Sequence, residues 1–260
     1  MMSAFLPIPL TMPLTDLHLP ANAQVQVLAD IHLHASDDAT FTAWQGAMLG
    51  SHADAIILLG DIFEVWVGDD WGLQDPFALQ CAAVLRQVSQ HRKLYFMHGN
   101  RDFLLNTAYA HYCGMQILAD PCILAIGQQR TLLSHGDAWI SSDLPYQAFR
   151  QLARSPDWQH DFLVKPLDER IALGAAMRAQ SQAAQTGRNH YDDIDTTLAI
   201  AAMQRAGAAT LVHGHTHRPS CDALDAQHTR WVLSDWDAGQ KRGDILHISA
   251  AGVKREQISF

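Results

Sequence analysis

Short apolar runs alternate with helical patterns in the N-terminal part of the chain, and this alternation limits the possible folds more than any other feature. The runs are VQVLA (25–29), AIILL (55–59) and KLYFM (93–97). Between them, residues 38–49 have helical spacing behind Asp37 or Asp38 as a cap, and residues 76–91 begin with a proline suited to a first helical turn. This β-α-β-α-β order predicts a parallel sheet covered by helices.

Further apolar runs predict a second sheet. They occupy residues 122–126, 131–134 and 210–213. Near the C-terminus, RWVLSDWD (230–237) and DILHIS (244–249) alternate with a period of two around a glycine-containing turn, so we expect them to pair as a hairpin. The second sheet is therefore expected to be partly antiparallel.

Two segments fall outside this strand pattern. Residues 1–24 contain four prolines and lack the basic start of a signal peptide, so they predict an irregular arm. Residues 141–190 contain helical segments and no strand candidate, which predicts an inserted helical lid. The α/β core is then expected to comprise residues 25–140 and 191–260.

Composition excludes several classes of protein. Hydrophobic residues make up 48% and charged residues 17% of the 260 positions, so a large core can be buried. The net charge of −9 argues against general affinity for nucleic acid, although a local basic pocket for an anion stays open. The four cysteines are far apart, as in a reduced, cytosolic chain. No apolar run approaches the ~20 residues of a membrane span.

Histidine is unusually frequent, with 15 copies, and several follow apolar runs. Five loops have the same form, an apolar run followed by Asp, Asn or His near Gly: LADIHLH, LLGDIFE, MHGNRD, LLSHGD and LVHGHTH. Ligands of open α/β sheets bind beyond the carboxyl ends of the strands, so the polar residues of these loops are expected to converge. They are Asp30, His32, Asp61, Asn100, His135, His213 and His215.

These residue types indicate a metal centre. Carboxylates, imidazoles and an amide without a thiolate suit Mn²⁺, Fe²⁺, Co²⁺ or Zn²⁺. Seven ligands are too many for one ion that must also admit water, whereas two ions about 3.5–4 Å apart can share Asp61. Any one of these motifs alone is more typical of a surface or core residue. Motifs of competing chemistries, such as G-x-x-x-x-G-K-[ST], G-x-S-x-G and H-E-x-x-H, do not occur.

The order D-x-H, G-D, G-N, H-G, G-H-x-H resembles the calcineurin-like metallophosphoesterases. The resemblance implies an αββα double-sheet sandwich with an inserted helical lid and a dinuclear centre. It implies that one ion is held by Asp30, His32, Asp61 and His215, and the other by Asp61, Asn100, His135 and His213. His217 lies outside this ligand pattern and is interpreted as a supporting or structural residue.

Arg101 follows Asn100, where many members of that superfamily have a histidine that protonates the leaving group. Arginine cannot give up its proton at pH 7, so the leaving group should not need one. An alkoxide, with a conjugate-acid pKa near water's ~15.7, needs a proton, whereas a phosphate monoester, with a second pKa of roughly 6, does not. Arg101 therefore favours cleavage of a pyrophosphate, with its guanidinium binding phosphoryl oxygens. The alternative is that Arg101 pairs with Asp102, and the two roles are compatible.

Longer stretches resemble the UDP-2,3-diacylglucosamine pyrophosphatases of lipid A synthesis. They are LADIHLH, LLGDIFEVWVGDD, HGNRDFLL, HGDAWISSDLPYQAFR, MRAQS and HGHTHRP. The resemblance implies that two Mn²⁺ per subunit support attack of water on the α-phosphorus, which yields 2,3-diacylglucosamine 1-phosphate (lipid X) and UMP. It implies catalytic roles for Asn100, Arg101 and His213. It also implies substrate contacts at Asn100, Arg101, Asp143, Ser181, Gln185, Arg188 and His213. Gln185 and Arg188 stand where that family often has Asn and Lys.

The lid segment also predicts how a lipid substrate would bind. Its apolar side chains suit a groove for acyl chains, and its cations suit an anionic membrane surface, so we expect peripheral attachment to the cytoplasmic face of the inner membrane. No nucleic acid and no obligate protein partner are expected. One alternative is another calcineurin-like phosphoesterase acting on a nucleotide or a phosphoprotein. A non-catalytic scaffold is disfavoured, because all seven ligand positions are filled.

Overall fold

The computed structural model describes residues 14–186 and 193–260, with the side chains of residues 180–186 left out of the description. The strands are β1 (Thr15–Leu19), β2 (Val25–Leu28), β3 (Ala55–Leu59), β4 (Lys93–Met97), β5 (Met115–Leu118), β6 (Cys122–Ile126), β7 (Gln129–Ser134), β8 (Thr210–His213), β9 (Ser220–Ala223), β10 (Thr229–Val232), β11 (Asp244–Ser249) and β12 (Gly252–Gln257). The helices are α1 (Asp38–Leu49), α2 (Asp69–Gly72), α3 (Pro76–Ser89), α4 (Thr107–Cys113), α5 (Leu144–Ala153), α6 (Pro156–Leu163), α7 (Leu167–Thr186) and α8 (Thr196–Ala206).

The strands form two six-stranded sheets. The first has the order β12-β11-β2-β3-β4-β5, and the second has the order β1-β6-β7-β8-β10-β9. Strands β2 to β5 run parallel to one another, as the alternation of strands and helices predicted. Strands β7 and β8 are also parallel neighbours. Parallel neighbours end at the same edge of a sheet, so the loops after these strands lie together.

Alternate strand residues divide the core into layers. Val27 and Ile57 of the first sheet pack against Leu133 and Val212 of the second, which forms the centre of the molecule. The opposite face of the first sheet packs against helices α1, α3 and α4, with Trp44 among the buried side chains. The opposite face of the second sheet packs against α8. The predicted αββα sandwich is confirmed.

Two predicted helices have the expected beginnings. Asp37 accepts a hydrogen bond from Thr40 N at 3.0 Å and caps α1. Asp75 accepts from Ala78 N at 2.9 Å and caps α3, where Pro76 occupies the first turn. These bonds satisfy backbone donors that have no partner within the helix.

The expectation of an irregular arm was wrong for residues Thr15–Leu19. This segment forms β1, which pairs in parallel with β6. Arg130 of β7 donates to Asp16 at 3.2 Å and ties β1 further to the second sheet. The strand lies at the edge of that sheet, where prolines nearby are tolerated because one side needs no ladder bonds.

The expected C-terminal hairpin was also wrong. β10 pairs with β8 and β9 in the second sheet, whereas β11 pairs with β2 and β12 in the first. The segment between them crosses from one sheet to the other, and Trp236 N donates to Asp30 O at 3.0 Å on the way. Alternation with a period of two identifies a strand, but it does not identify the partner of that strand.

The predicted lid segment contains α5, α6 and α7 in its described part and no strand there, as expected. Its outer limits stay a prediction, because residues 187–192 lie outside the described residues. No helix in the described chain combines the length and the apolar character needed to cross a bilayer.

Candidate metal centre

The polar residues after β2, β3 and β8 adopt an unusual backbone conformation. Asp30, His32, Asp61, His215 and His217 all have a positive φ, between 53° and 65°. This left-handed region is uncommon for residues other than glycine, and such strain gathers at functional sites. Backbone bonds join two of the loops, since His32 N donates to Asp61 O at 3.0 Å.

One group of candidate ligands comprises Asp30, His32 and His217. Each offers one ligand atom, and these atoms all lie within 4.8 Å of one another. The Nε2 atoms of the two histidines are 3.3 Å apart, and His217 Nε2 lies 3.4 Å from Asp30 Oδ1. Two imidazole nitrogens and a carboxylate oxygen therefore face one small space.

A second group adjoins the first and shares Asp30 with it. Asp30, Asp61 and His135 again offer ligand atoms within 4.8 Å. Asn100 Oδ1 lies 3.1 Å from His135 Nε2 and 2.7 Å from His215 Nδ1. The side chains of His135 and Asp61 are almost fully buried. Two carboxylates, an amide oxygen and two imidazoles thus meet beside the first group.

Glycine is required where the loop after β4 passes this second group. A Cβ atom at Gly99 would lie 2.0 Å from Asp61 Oδ1 and 2.3 Å from Asp61 N. No side chain fits at that distance. The close approach brings Asn100, the next residue, beside Asp61.

The electrostatics of the two groups fit divalent cations. Burial raises the pKa of Asp61, and the nearby charges of His135 and Arg101 offset this only in part. Burial lowers the pKa of His135, but the carboxylates of Asp61 and Asp30 outweigh it and raise that pKa to about 9. The two carboxylates therefore favour positive charge in this space.

Two of the other histidines are available as neutral ligands. Burial, followed by the charge of Arg101, lowers the pKa of His32 well below its usual value. Burial, followed by the charge of His135, lowers the pKa of His215 to about 3. Asp30 Oδ1 is buried and makes no hydrogen bond with any described residue. Neutral imidazoles and an unsatisfied carboxylate oxygen are the ligands a divalent cation needs.

A model of the calcineurin-like phosphoesterase family matches residues 23–219. This chain belongs to the calcineurin-like phosphoesterase family.

Relatives of this phosphoesterase include three proteins named UDP-2,3-diacylglucosamine hydrolase. The protein of Chromobacterium violaceum is 38% identical over 88% of this chain and 97% of its own length. That of Chromohalobacter salexigens is 40% identical over 82% and 89%, and that of Bordetella pertussis is 38% identical over 87% and 92%. Among solved structures, Vacuolar Protein Sorting 29 of Cryptosporidium parvum is similar at 10% identity, with a TM-score of 0.46 over 92% of this chain and 99% of that one.

The phosphoesterase geometry groups the histidines of one loop differently from the predicted ligand set. The prediction placed His213 among the ligands and His217 outside them. The described contact of the buried His213 ring is between its Nδ1 and Gly214 O, at 2.9 Å, and burial lowers the pKa of His213 to about 4. His217 instead faces Asp30 and His32, and His215 faces Asn100. His213 still belongs to β8, whereas the ligand groups come from the left-handed turn that follows.

Arg101 lies against the phosphoesterase site rather than against Asp102. Its backbone N donates to Asp61 Oδ1 at 2.8 Å, and its Nε lies 3.4 Å from Asp61 Oδ2. Asp102 instead accepts from the backbone N of Ile62 and Gly99, at 2.8 Å each. The alternative of an Arg101–Asp102 pair was therefore wrong.

The predicted substrate contacts of the phosphoesterase lid are only partly described. Asp143 caps α5 by accepting from Tyr146 N at 3.2 Å. Ser181 and Gln185 lie on α7, but their side chains are outside the description. Arg188 lies outside the described residues.

Asp137 supports the site through partners that the sequence did not identify. This fully buried carboxylate accepts from Tyr146 Oη at 2.5 Å and from Arg150 Nε at 2.8 Å. Arg154 Nη2 donates to Gly99 O at 2.8 Å, and the Tyr146 ring stacks on His215 with centroids 6.1 Å apart. The first helix of the lid is thus fixed to two loops of the phosphoesterase centre. Only the proximity of Asp137 to His135 in the sequence could have indicated this.

Proposed function

We propose that this chain hydrolyses the pyrophosphate bond of UDP-2,3-diacylglucosamine to 2,3-diacylglucosamine 1-phosphate and UMP, a step of lipid A synthesis. The observation that carries the proposal is the Arg101 guanidinium, which lies at Asp61 in the centre of the site. Arginine binds phosphoryl oxygens but cannot protonate a leaving group at neutral pH. A phosphate monoester leaves without that proton. Relatives of nearly the same length that are named for this substrate support the proposal.

The metal part of the proposal assigns two Mn²⁺ ions. The first would be held by Asp30, His32, Asp61 and His217, and the second would be held by Asp61, Asn100, His135 and His215. When bound, such a pair lowers the pKa of a water and neutralises charge on the phosphoryl group. The donor set supports Mn²⁺, because imidazoles and carboxylates without thiolates suit it.

The residues of the chain divide the remaining work. Arg101 binds and orients the phosphoryl group through its fork of donors. Arg178 of α7 lies across Glu64 from Arg101 and adds a second guanidinium. Asp143, Ser181, Gln185 and Arg188 stay predicted contacts to the substrate.

The lid is also proposed to contact the acyl chains of the substrate and the cytoplasmic surface of the inner membrane. Exposed apolar side chains of its helices and connections include Leu144, Phe149, Leu152, Val164 and Ile171. A surface with this many exposed apolar side chains is uncommon on a protein that contacts only water. Peripheral attachment would bring the site to a substrate that resides in the bilayer.

The test supplies UDP-2,3-diacylglucosamine and Mn²⁺ to the purified protein in ¹⁸O-water. Label in UMP is the expected result, because water is proposed to attack the α-phosphorus. Label in the lipid phosphate refutes that attack. Faster hydrolysis of a generic aryl phosphate than of the lipid would favour another phosphoesterase activity. Asn100→Ala serves as the matched inactive variant.

A further inference from the structure

Glu64 lies at the junction of the two halves of the site, although neither half needs it as a ligand. It comes three residues after Asp61, and its backbone N donates to Leu33 O at 3.1 Å. That bond places it beside the loop carrying His32. The side chain is one-fifth exposed.

One oxygen of Glu64 faces a proposed metal ligand. His32 Nδ1 is buried without a hydrogen bond and lies 3.6 Å from Glu64 Oε2, the carboxylate oxygen it faces, while its Nε2 faces His217. The opposite histidine repeats the arrangement, because His217 Nδ1 lies 3.6 Å from Asp235 Oδ2. Carboxylates behind metal-binding histidines fix the ring orientation and the tautomer, so that the other nitrogen keeps its lone pair for the ion.

The same carboxylate binds two arginines. Arg101 Nη1 donates to Glu64 Oε2, and Arg178 Nη2 donates to Glu64 Oε1. Both arginine side chains are mostly buried, at 13% and 22% exposure. Two adjacent guanidiniums repel each other unless a negative group lies between them. Glu64 therefore sets the spacing of the two cations that face the site.

We propose that Glu64 is a positioning residue that orients the metal ligand His32 and holds Arg101 and Arg178 ready for a phosphoryl group. One carboxylate thus couples cation binding to anion binding. The role of Glu64 at Arg101 and Arg178 rests on the proposed function, whereas its role at His32 concerns Mn²⁺ binding alone.

The test compares Glu64→Gln with Glu169→Gln, which removes an exposed carboxylate of α7 paired with Lys165. Mn²⁺ affinity is measured by isothermal titration calorimetry without substrate, and KM and kcat are measured with UDP-2,3-diacylglucosamine. Glu64→Gln should weaken Mn²⁺ binding by about tenfold, as loss of a carboxylate behind a ligand does, and should raise KM. Glu169→Gln should match the wild type, because exposed ion pairs contribute little.

Unchanged Mn²⁺ affinity and KM in Glu64→Gln would overturn the inference. A lower melting temperature with both quantities preserved would overturn it too, because it would show a structural role only. If Glu64→Gln does not fold, Glu64→Asp is tested instead. Its shorter side chain moves the carboxylate away from His32 and the arginines, so it should also weaken Mn²⁺ binding and raise KM. A wild type that binds Mn²⁺ but leaves the UDP-lipid intact would refute the proposed function. In that case the Mn²⁺ titration of Glu64→Gln would still decide whether Glu64 orients His32.

Discussion

His217 Nε2 lies 3.3 Å from His32 Nε2, although 185 positions separate the two residues along the chain. Their rings are 5.2 Å apart and tilted, and Asp30 lies beside both. Two nitrogens this close need either a shared proton or a shared cation. The pair therefore marks the place where one ion of the phosphoesterase centre would bind.

The first prediction separates His217 from His213. His217→Ala should lose one equivalent of Mn²⁺ and most activity, because it removes a ligand that faces Asp30. His213→Ala should keep both equivalents, since its ring contacts Gly214. Metal analysis of the folded, dialysed variants checks this. Loss of one equivalent in His213→Ala, with His217→Ala fully loaded, would restore the ligand set expected from the sequence.

The second prediction concerns Arg101. Arg101→Ala should lower kcat/KM for the UDP-lipid by about 10²-fold, the loss usual for a group that stabilises charge on the reacting atoms. The kcat/KM of Arg101→Lys should lie between the values of the wild type and of Arg101→Ala, because lysine keeps the charge and loses the fork of donors. Arg86→Ala is the control, since Arg86 lies on the exposed face of α3 over the Tyr112 ring. Steady-state kinetics with saturating Mn²⁺ distinguish these outcomes.

The third prediction is a dependence of stability on pH. Burial raises the pKa of Asp137, but Arg150 and Arg154 outweigh burial and hold that pKa well below its usual range. A depressed folded-state pKa gives stability that is present above the unfolded value of about 3.9 and is lost as pH falls through the folded value.

Asp137→Asn should therefore lower the free energy of unfolding at pH 7 by about 3–5 kcal/mol, the usual cost of breaking a buried ion pair. The difference from the wild type should shrink below roughly pH 4. Urea unfolding in chelator, repeated across pH, measures both. Asp161→Asn, at an exposed position of α6, should show no such difference. If the difference in the free energy of unfolding between the wild type and Asp137→Asn stayed constant down to the lowest pH, the negative charge of Asp137 would not be its cause.

The fourth prediction concerns the docking of α7. Gly174 packs against the segment after β3, and a Cβ there would lie 2.9 Å from Val67 Cγ1 and 3.1 Å from Val65 Cγ2. Arg170 on the same face donates to Val67 O at 2.7 Å, and Arg178 one turn further reaches Glu64. Positions separated by four residues share a helix face.

Gly174→Val should push α7 away from the centre and raise KM by tenfold or more, because a shift of about 1 Å can cost up to roughly 10²-fold. Mn²⁺ affinity should change much less than KM, since none of the proposed ligands lies on α7. The control is Ala175→Val on the exposed side of the same helix. Equal KM values in the two variants would show that this packing does not position Arg178.

Much of the fold followed from local patterns. The strands Ala55–Leu59 and Lys93–Met97 and the capped helices α1 and α3 that precede them were predictable, because periodicity and capping depend on neighbours in the chain. The strand Thr15–Leu19 was missed because its flanking prolines resemble those of a loop. The partner of Asp244–Ser249 was predicted wrongly, because strand pairing depends on which sheet a strand joins.

The sequence by itself determined the chemistry of the centre, since carboxylates, imidazoles and an amide follow apolar runs that become neighbouring strands within each of the two sheets, and the ends of these strands meet on one side of the molecule. It could not decide which histidines of HGHTH face the ions. His213 ends a strand, while His215 and His217 occupy left-handed turn positions, and these φ values depend on the packing of the turn against Asp30 and Asn100. The places of Glu64 and Asp137 likewise came only from the tertiary structure, because Arg178, Tyr146, Arg150 and Arg154 reach them from a lid whose docking no local pattern encodes.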